Sequence, residues 1–363
     1  MIYSVLHTTT FSYQPAVRES VMEVRLQPRS DGPQHCLTFE LEVSPAANIM
    51  QYRDFMGNTV HHFDIAGKHS EVKVVARSSV EVQTIPAINA PDAGSWDDLD
   101  RTVASPSPND DYWEMLLPSQ FAKSTPQLEA LARDLRCERR DTPLQLLTEL
   151  TQSMFETFDY VPKSTSVNSP IDHALESRQG VCQDFAHIMI ALLRPLKIPC
   201  RYVSGYMFHR DDNDETKYRS VEGASHAWVE AVIPNLGWIA FDPTNNLIGA
   251  DRHIRVALGR DYADVPPTRG VHQGDAQSAL SVAVTVSPSD APPPIQLPPT
   301  LVIHSRPTPR TNRIDYEQQQ QQQQQKLLVG RTEKVLSFRA QRGTLVSPPA
   351  PRLCCSPASA RPL

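Results

Sequence analysis

Residues 225–244 read SHAWVEAVIPNLGWIAFDPT, and this stretch determines which fold and which chemistry the chain can support. Two runs of mainly apolar residues flank the turn-forming sequence Pro-Asn-Leu-Gly, a pattern that predicts two antiparallel strands joined by a short turn. If Val232 pairs with Trp238, Asp242 becomes a diagonal neighbour of His226 on the same face. A shift of one residue would move Asp242 to the other face, so the register decides whether the two side chains meet.

Upstream, residues 176–195 read ESRQGVCQDFAHIMIALLRP and predict a helix that begins at Cys182 and ends before Pro195. The apolar residues that share one face of this helix are Phe185, Ile188, Met189 and Leu192. Free N–H groups at a helix N-terminus stabilise a thiolate. The backbone N–H groups of Cys182 and Gln183 could also donate to an oxyanion, and Gly180 would leave room for a substrate backbone.

A thiol at a helix start, with an imidazole and a carboxylate on adjacent strands, is the arrangement that nucleophilic acyl transfer requires. In this interpretation Cys182 attacks a carbonyl, His226 takes and returns the proton, and Asp242 holds the imidazole in the correct tautomer. Trp228 and Trp238 are candidates for lining the substrate cleft, although aromatic residues in paired strands more often pack in the core.

These residues resemble a known family, the transglutaminase-like cysteine acyltransferases and cysteine proteases of bacteria, which are built on a papain-like core. The resemblance rests on five segments: GVCQDFAH (180–187), PCRYVSGY (199–206), SHAW (225–228), GWIAFDPT (237–244) and GRDYADVPP (259–267). Residues 1–85 are similar to the β-rich N-terminal region that such proteins carry. The resemblance implies that Cys182, His226 and Asp242 form a catalytic triad.

The chain is predicted to be an α+β protein. Alternating apolar and polar residues over 1–85 predict an antiparallel β-rich domain, and the Pro-, Ser- and Asp-rich interval 86–117 predicts a linker. Residues 118–287 then form the transglutaminase-like catalytic core. Residues 288–363, which are rich in proline and include eight consecutive glutamines at 318–325, predict a disordered tail.

Composition excludes several classes of protein. The 363 residues carry a net charge of −6, so the chain has no overall basic charge that would bind nucleic acid. Its six cysteines are too few for a disulfide scaffold. No apolar run approaches the roughly 20 residues that span a bilayer, so we expect a cytoplasmic protein without a membrane partner. Neither a phosphate-binding loop nor a metal-binding spacing occurs, and no cofactor or metal is expected.

Other reactive side chains have ordinary structural interpretations. Asp184 and His187 lie within one and a half turns of Cys182 and are expected to cap or pack the helix. The histidines without a metal-binding pattern are His61, His62, His209, His253 and His272. Three cysteines are expected in the core and two in the tail: Cys36, Cys137 and Cys200, and then Cys354 and Cys355.

Three functions are compatible with these residues. The acyl group of a peptide or protein amide can pass from Cys182 to water, as in a peptidase or amidase, or to an amine, as in a transglutaminase. The same fold can also serve as a non-catalytic binding or scaffold module. The polar segment 211–217, DDNDETK, predicts a solvated loop beside the cleft and therefore favours hydrolysis.

Overall fold

The computed structural model describes residues 1–84, 88, 92–105, 112–209, 219, 223–249 and 251–289. Apart from its first two residues, the predicted tail 288–363 lies outside the described residues, as does the polar loop 211–217. The described strands, in chain order, are β1 (Ile2–Val24), β2 (Gln34–Ser44), β3 (Met50–Arg53), β4 (Thr59–Val82), β5 (Asp159–Tyr160), β6 (Gln179–Gly180), β7 (Cys200–Met207), β8 (His226–Ile233), β9 (Gly237–Asp242), β10 (Leu247–Ile248), β11 (His253–Gly259), β12 (Thr268–Gln273) and β13 (Gln277–Ser289). The described α-helices are α1 (Trp96–Ala104), α2 (Tyr112–Leu116), α3 (Pro126–Asp134), α4 (Pro143–Thr157), α5 (Ile171–Ser177) and α6 (Cys182–Leu193).

The N-terminal part of the chain forms an antiparallel sheet built on the two long strands β1 and β4. Strands β2 and β3 pair with β4, while β12 and β13 pair with successive parts of β1. Along β1 and β4, alternate residues turn into the protein, as the two-residue period of the sequence predicts. The sequence therefore indicates the correct class of structure for this part of the chain.

The C-terminal strands β12 and β13 belong to this first sheet. Strand β13 pairs with β1 from Ile2 opposite Ser289 to Gln14 opposite Gln277. The predicted division assigns residues up to 287 to the catalytic core, whereas the strand pairing places 268–289 in the first sheet. Alternation in a sequence predicts a strand but not its partner, and the edge of β1 left open by β4 supplies the missing partner.

A second antiparallel sheet, in the order β10-β9-β8-β7-β11, carries the hairpin predicted from residues 225–244. Its register is confirmed, because Val232 pairs with Trp238. Helix α6 packs against β8, and the apolar side chains between them are fully buried, including Ile190 and Val229. This packing fixes the start of α6 relative to the start of β8.

The interval 86–117, predicted as a linker, contains helices α1 and α2 in its described part. Leu99 of α1 is fully buried in the core cluster around α6, and the indole N–H of Trp96 donates to the Arg140 carbonyl at 3.1 Å. The start of α1 has a sequence signal, since Ser95 and Asp98 form a capping box. None of the helices in the described ranges is long and apolar enough to cross a bilayer.

We expect the chain to tolerate removal of residues 291–363 but not of β13. Truncation after Asp290 should leave the free energy of unfolding unchanged, whereas truncation after Gly274 should lower it by at least about 2 kcal/mol, because it uncovers β1 and removes the buried side chain of Val284. Denaturant unfolding of the two truncated proteins measures the difference. Equal stability of both would contradict the role assigned to β13.

Candidate functional site

Cys182 is the first residue of α6, as predicted, and a carboxylate fixes the start of that helix. Asp184 Oδ2 accepts hydrogen bonds from the Val181 backbone N–H at 2.8 Å and from the Thr165 hydroxyl at 2.5 Å. Asp184 is therefore a capping residue, which confirms the interpretation made from its position. The cap holds the Cys182 side chain at the positive end of the helix.

Gly180 serves this cap rather than an approaching substrate. A Cβ at position 180 would lie 3.0 Å from Asp184 Cβ and 3.2 Å from Phe185 Cε1, closer than ordinary van der Waals contact. The absence of a side chain is thus needed for Asp184 to reach the helix start. Gly180 is also buried, and the structure does not place it on the cavity that Cys182 lines.

His226 and Asp242 meet across the hairpin as the register predicts. His226 Nε2 lies 2.8 Å from Asp242 Oδ2, and both side chains are almost completely buried. The turn after β9 supplies further donors to the carboxylate. The backbone N–H groups of Thr244 and Asn245 donate to Oδ1 at 3.0 and 3.3 Å, and the Asn245 side-chain amide donates to Oδ2 at 2.8 Å.

A second imidazole, which sequence reasoning missed, reaches the same carboxylate. His253 Nε2 lies 3.0 Å from Asp242 Oδ2. His253 begins β11, and no local motif indicates that this strand pairs with β7 next to β8. Within the described residues, His226, Asp242 and His253 are the group whose ligand atoms, all within 4.8 Å of one another, could hold a metal ion. In the structure, the Nε2 atoms of both imidazoles form hydrogen bonds to Asp242 Oδ2.

The two imidazoles differ in protonation. Burial alone would lower the pKa of His226, but the charge and hydrogen bond of Asp242, with smaller contributions from Cys182, raise it to about 10. Burial lowers the pKa of His253, and the attraction of Asp242 does not reverse this effect. Burial opposes ionisation of Asp242, yet the neighbouring imidazoles lower its pKa below the ordinary range. His226 is therefore the cation of this group and His253 is neutral.

The nitrogen of His226 that remains for the thiol is Nδ1. Nε2 forms a hydrogen bond to Asp242. Among the described residues, no group forms a hydrogen bond to Nδ1. Cys182 and His226 line one cavity of about 280 Å³, and Cys182 contributes to the raised pKa of His226. The structure thus places Cys182 and His226 on one cavity and joins His226 to Asp242 by a hydrogen bond.

The two tryptophans lie away from this cavity. Trp228 is fully buried, with its ring stacked on His226 at a centroid distance of 5.9 Å and edge-on to His253 at 4.7 Å. Trp238 is covered by the Arg201 guanidinium, 4.0 Å from the ring centre. Both tryptophans line a separate small cavity, so the prediction that they line the cleft with Cys182 is not met. Residues 226 and 228 point to the same face of β8, so the Trp228 indole packs against the His226 imidazole.

The described residues that line the cavity with Cys182 are mostly neutral. Its described lining contains no Asp, Glu, Lys or Arg side chain. Cys182 and Gln183 both contribute to it, and their N–H groups stand in the first turn of α6, where a helix has no internal acceptors. The oxyanion role of these two N–H groups stays a prediction that this placement permits.

The other histidine and cysteines considered above are explained by packing and burial. His187 stacks on Phe121 and accepts a hydrogen bond from the Tyr262 N–H at 3.1 Å, and burial lowers its pKa to about 3, so it packs as predicted. Burial raises the pKa of Cys36, Cys137 and Cys200 to about 11 each. Cys354 and Cys355 lie outside the described residues.

Comparison with known proteins agrees with this architecture. Residues 3–81 match the family model of the bacterial transglutaminase-like N-terminal region, and residues 129–243 match that of the transglutaminase-like superfamily. An uncharacterized protein of Mycobacterium leprae is 33% identical over 284 residues, which cover 78% of this chain and 97% of the relative. The chain belongs to the transglutaminase-like superfamily.

Two further proteins that are similar to this transglutaminase-like protein have names that state an activity. A crystal structure of a "putative cysteine protease" from Cytophaga hutchinsonii superposes with a TM-score of 0.61 at 22% identity, covering 81% of this chain and 93% of that one, which shows a shared fold. A protein-glutamine gamma-glutamyltransferase of Pseudomonas aeruginosa is 35% identical over 123 residues, or 33% of this chain and 18% of that protein.

We expect iodoacetamide at pH 7.5 to alkylate Cys182 at least about tenfold faster than Cys200, because Cys182 is half-buried and lines a cavity beside His226, whereas burial raises the pKa of Cys200 to about 11. Peptide-level mass spectrometry over a time course gives both rates. His226→Ala should slow only the labelling of Cys182. Similar rates at the two cysteines in the wild-type protein would show that Cys182 is not activated.

The charge of Asp242 should set the protonation of His226. In the wild-type protein, an NMR titration of the His226 ring should show a midpoint well above the ordinary value of 6.5, near the pKa of about 10. Asp242→Asn removes the negative charge that holds the proton, so the midpoint should fall below 6.5, because burial then dominates. An unchanged midpoint in Asp242→Asn would show that the Asp242 charge does not determine the pKa of His226.

His253 should act through the same carboxylate. His253→Phe keeps a ring against Trp228 but removes one donor to Asp242, so the carboxylate should attract the His226 proton more strongly and the midpoint should rise. His187→Phe, at another buried histidine, is the matched control and should leave the midpoint in place. A change of packing alone would not produce opposite shifts in the His253 and Asp242 variants.

Proposed function

We propose that the protein forms a thioester between Cys182 Sγ and the acyl group of a peptide or side-chain amide, and that it passes this acyl group mainly to water. The observation that carries the proposal is the shared cavity of Cys182 and His226, with the far nitrogen of His226 held 2.8 Å from a buried carboxylate. Nothing in this arrangement requires a cofactor. The proposal explains why Asp242 and its donors are buried together.

The proposed reaction runs in two halves. The Cys182 thiolate attacks the carbonyl carbon, and the proton on His226 Nδ1 passes to the nitrogen of the amide as its C–N bond breaks and the amine leaves. Water then attacks the thioester and gives a proton to His226. The C–S bond breaks, which releases the carboxylic acid and restores the thiolate and imidazolium. A pKa of His226 raised to about 10 supports the first step, since the ring holds its proton at neutral pH.

Two features of the site support water as the main acceptor. A transferase must protect its thioester from water, and the tryptophans that could build an apolar path for an amine lie on a different cavity. The described lining of the reactive cavity also offers no carboxylate to hold the ammonium group of a lysine. Both features favour a neutral amide substrate and a small, uncharged acceptor.

Amine transfer is the second candidate, and one observation favours it. The similarity to a protein-glutamine gamma-glutamyltransferase covers 123 residues of this chain. In that case the same thioester would form, and only the second half of the reaction would differ. The products therefore distinguish the two candidates, and a binding module without chemistry would give no product at all.

The decisive experiment supplies glutamine-containing peptides with and without millimolar methylamine and identifies the products by mass. Side-chain hydrolysis, backbone cleavage and amine transfer each give a different mass change, and we expect hydrolysis to exceed transfer. Cys182→Ala should abolish turnover, His226→Ala should reduce it by at least about 100-fold, and Asp242→Asn should retain partial activity.

Thermal melting of each variant separates loss of chemistry from loss of fold. Wild-type turnover by folded Cys182→Ala would disprove the thioester. A predominance of methylamine adducts would establish the transferase instead. Absence of every product over a broad panel of peptides, with normal alkylation of Cys182, would favour the binding module.

A further inference from the structure

The wall of the reactive cavity opposite Cys182 comes from the first sheet. In the β1–β13 pairing, Thr9 stands opposite Val282 and Phe11 opposite Leu280, so alternate residues of both strands share one face. His7, Thr9, Leu280 and Val282 on this face all line the cavity that contains Cys182 and His226. We call the side chains of Leu280 and Val282 the apolar rim.

The wall changes character from its inner to its outer end. At the inner end, His7 is buried between Thr9 Oγ1, 2.8 Å from Nε2, and the Tyr206 hydroxyl, 3.0 Å from Nδ1. Burial lowers the pKa of His7 to about 4, so this ring is neutral at pH 7. At the outer end, Leu280 and Val282 are 58% and 41% exposed. The described residues of this wall therefore form an apolar surface at the mouth of the cavity and carry no charge at pH 7.

The size of the cavity indicates how a peptide would use this surface. About 280 Å³ lies just below the roughly 300–1,000 Å³ of most ligand pockets, so the space suits one reacting residue rather than several. In an extended chain, the side chains two positions before and after the reacting one lie on the same side and must then lie on the rim. Leu280 and Val282 stand two residues apart on a strand, which matches the spacing of side chains on one side of an extended peptide.

Resting on the proposed function, we propose that the apolar rim is a specificity subsite, which binds an apolar side chain of an extended peptide at the same-side neighbour of the acyl-donor residue, two positions along the chain. Covering the exposed parts of Leu280 and Val282 removes apolar surface from water and favours such a neighbour. A charged neighbour would lose hydration without gaining an ionic partner from the described wall.

The test compares peptides that differ only in the same-side neighbour of the glutamine, the residue two positions before or after it, leucine against serine, on each side in turn. For the wild-type protein, kcat/KM should be about tenfold higher with leucine on one of the two sides, as expected for burial of an aliphatic side chain. The double variant Leu280→Ser, Val282→Ser should reduce this ratio to about one. The matched control is Leu6→Ser, since Leu6 is 42% exposed on β1 but points to the opposite face.

Binding to the Cys182→Ala protein, measured by titration calorimetry, separates the subsite from the reaction. The leucine peptide should bind about tenfold more tightly than the serine peptide, and the same two rim substitutions should remove the difference. Preference in binding without any turnover by the wild-type protein would overturn the proposed function and keep the subsite. Turnover with equal preference in wild-type and rim variants, or loss of preference in Leu6→Ser, would overturn the subsite.

Discussion

The two imidazoles of the site depend on one buried negative charge, that of Asp242. Isolated in the protein interior, the carboxylate of Asp242 would be strongly destabilising, and it is tolerated because five hydrogen bonds from described residues converge on it. Two come from the backbone of the turn after β9, and three come from the side chains of His226, Asn245 and His253. The hairpin register, the turn and the position of β11 all have to be correct at once for these donors to meet.

The same constraint explains why two similar rings behave differently. One carboxylate can offset one buried positive charge but not two, so the proton is held by the imidazole that also faces Cys182. His253 then contributes as a neutral donor. Trp228 packs against both rings, which also contact each other with their centroids 5.7 Å apart. An asymmetric pair of histidines thus follows from burial and from the single charge between them.

Local sequence signals predicted the parts of the site that depend on short-range geometry. The register expected across the Pro-Asn-Leu-Gly turn predicted the contact of His226 with Asp242. The helical spacing of the apolar residues predicted the helix that begins at Cys182. His253 could not be found in this way, because its contact requires two strands that pair over a long sequence separation. Trp228 was ambiguous because residues 226 and 228 share a face, and sharing a face does not say which side chain is exposed. For the same reason, the pattern in β13 predicted a strand but not that β1 is its partner.

The pairing of β13 with β1 also orders events as the chain is made. Strand β1 is synthesised before the other described strands, yet the partner that completes its edge is separated from it by more than 250 residues. Helix α6, β8 and β9 can therefore assemble around the thiol before the opposite wall exists, since contacts of such long sequence separation form last. The cavity that Cys182 lines would then stay open on one side until synthesis has passed Ser289 and β13 has paired with β1.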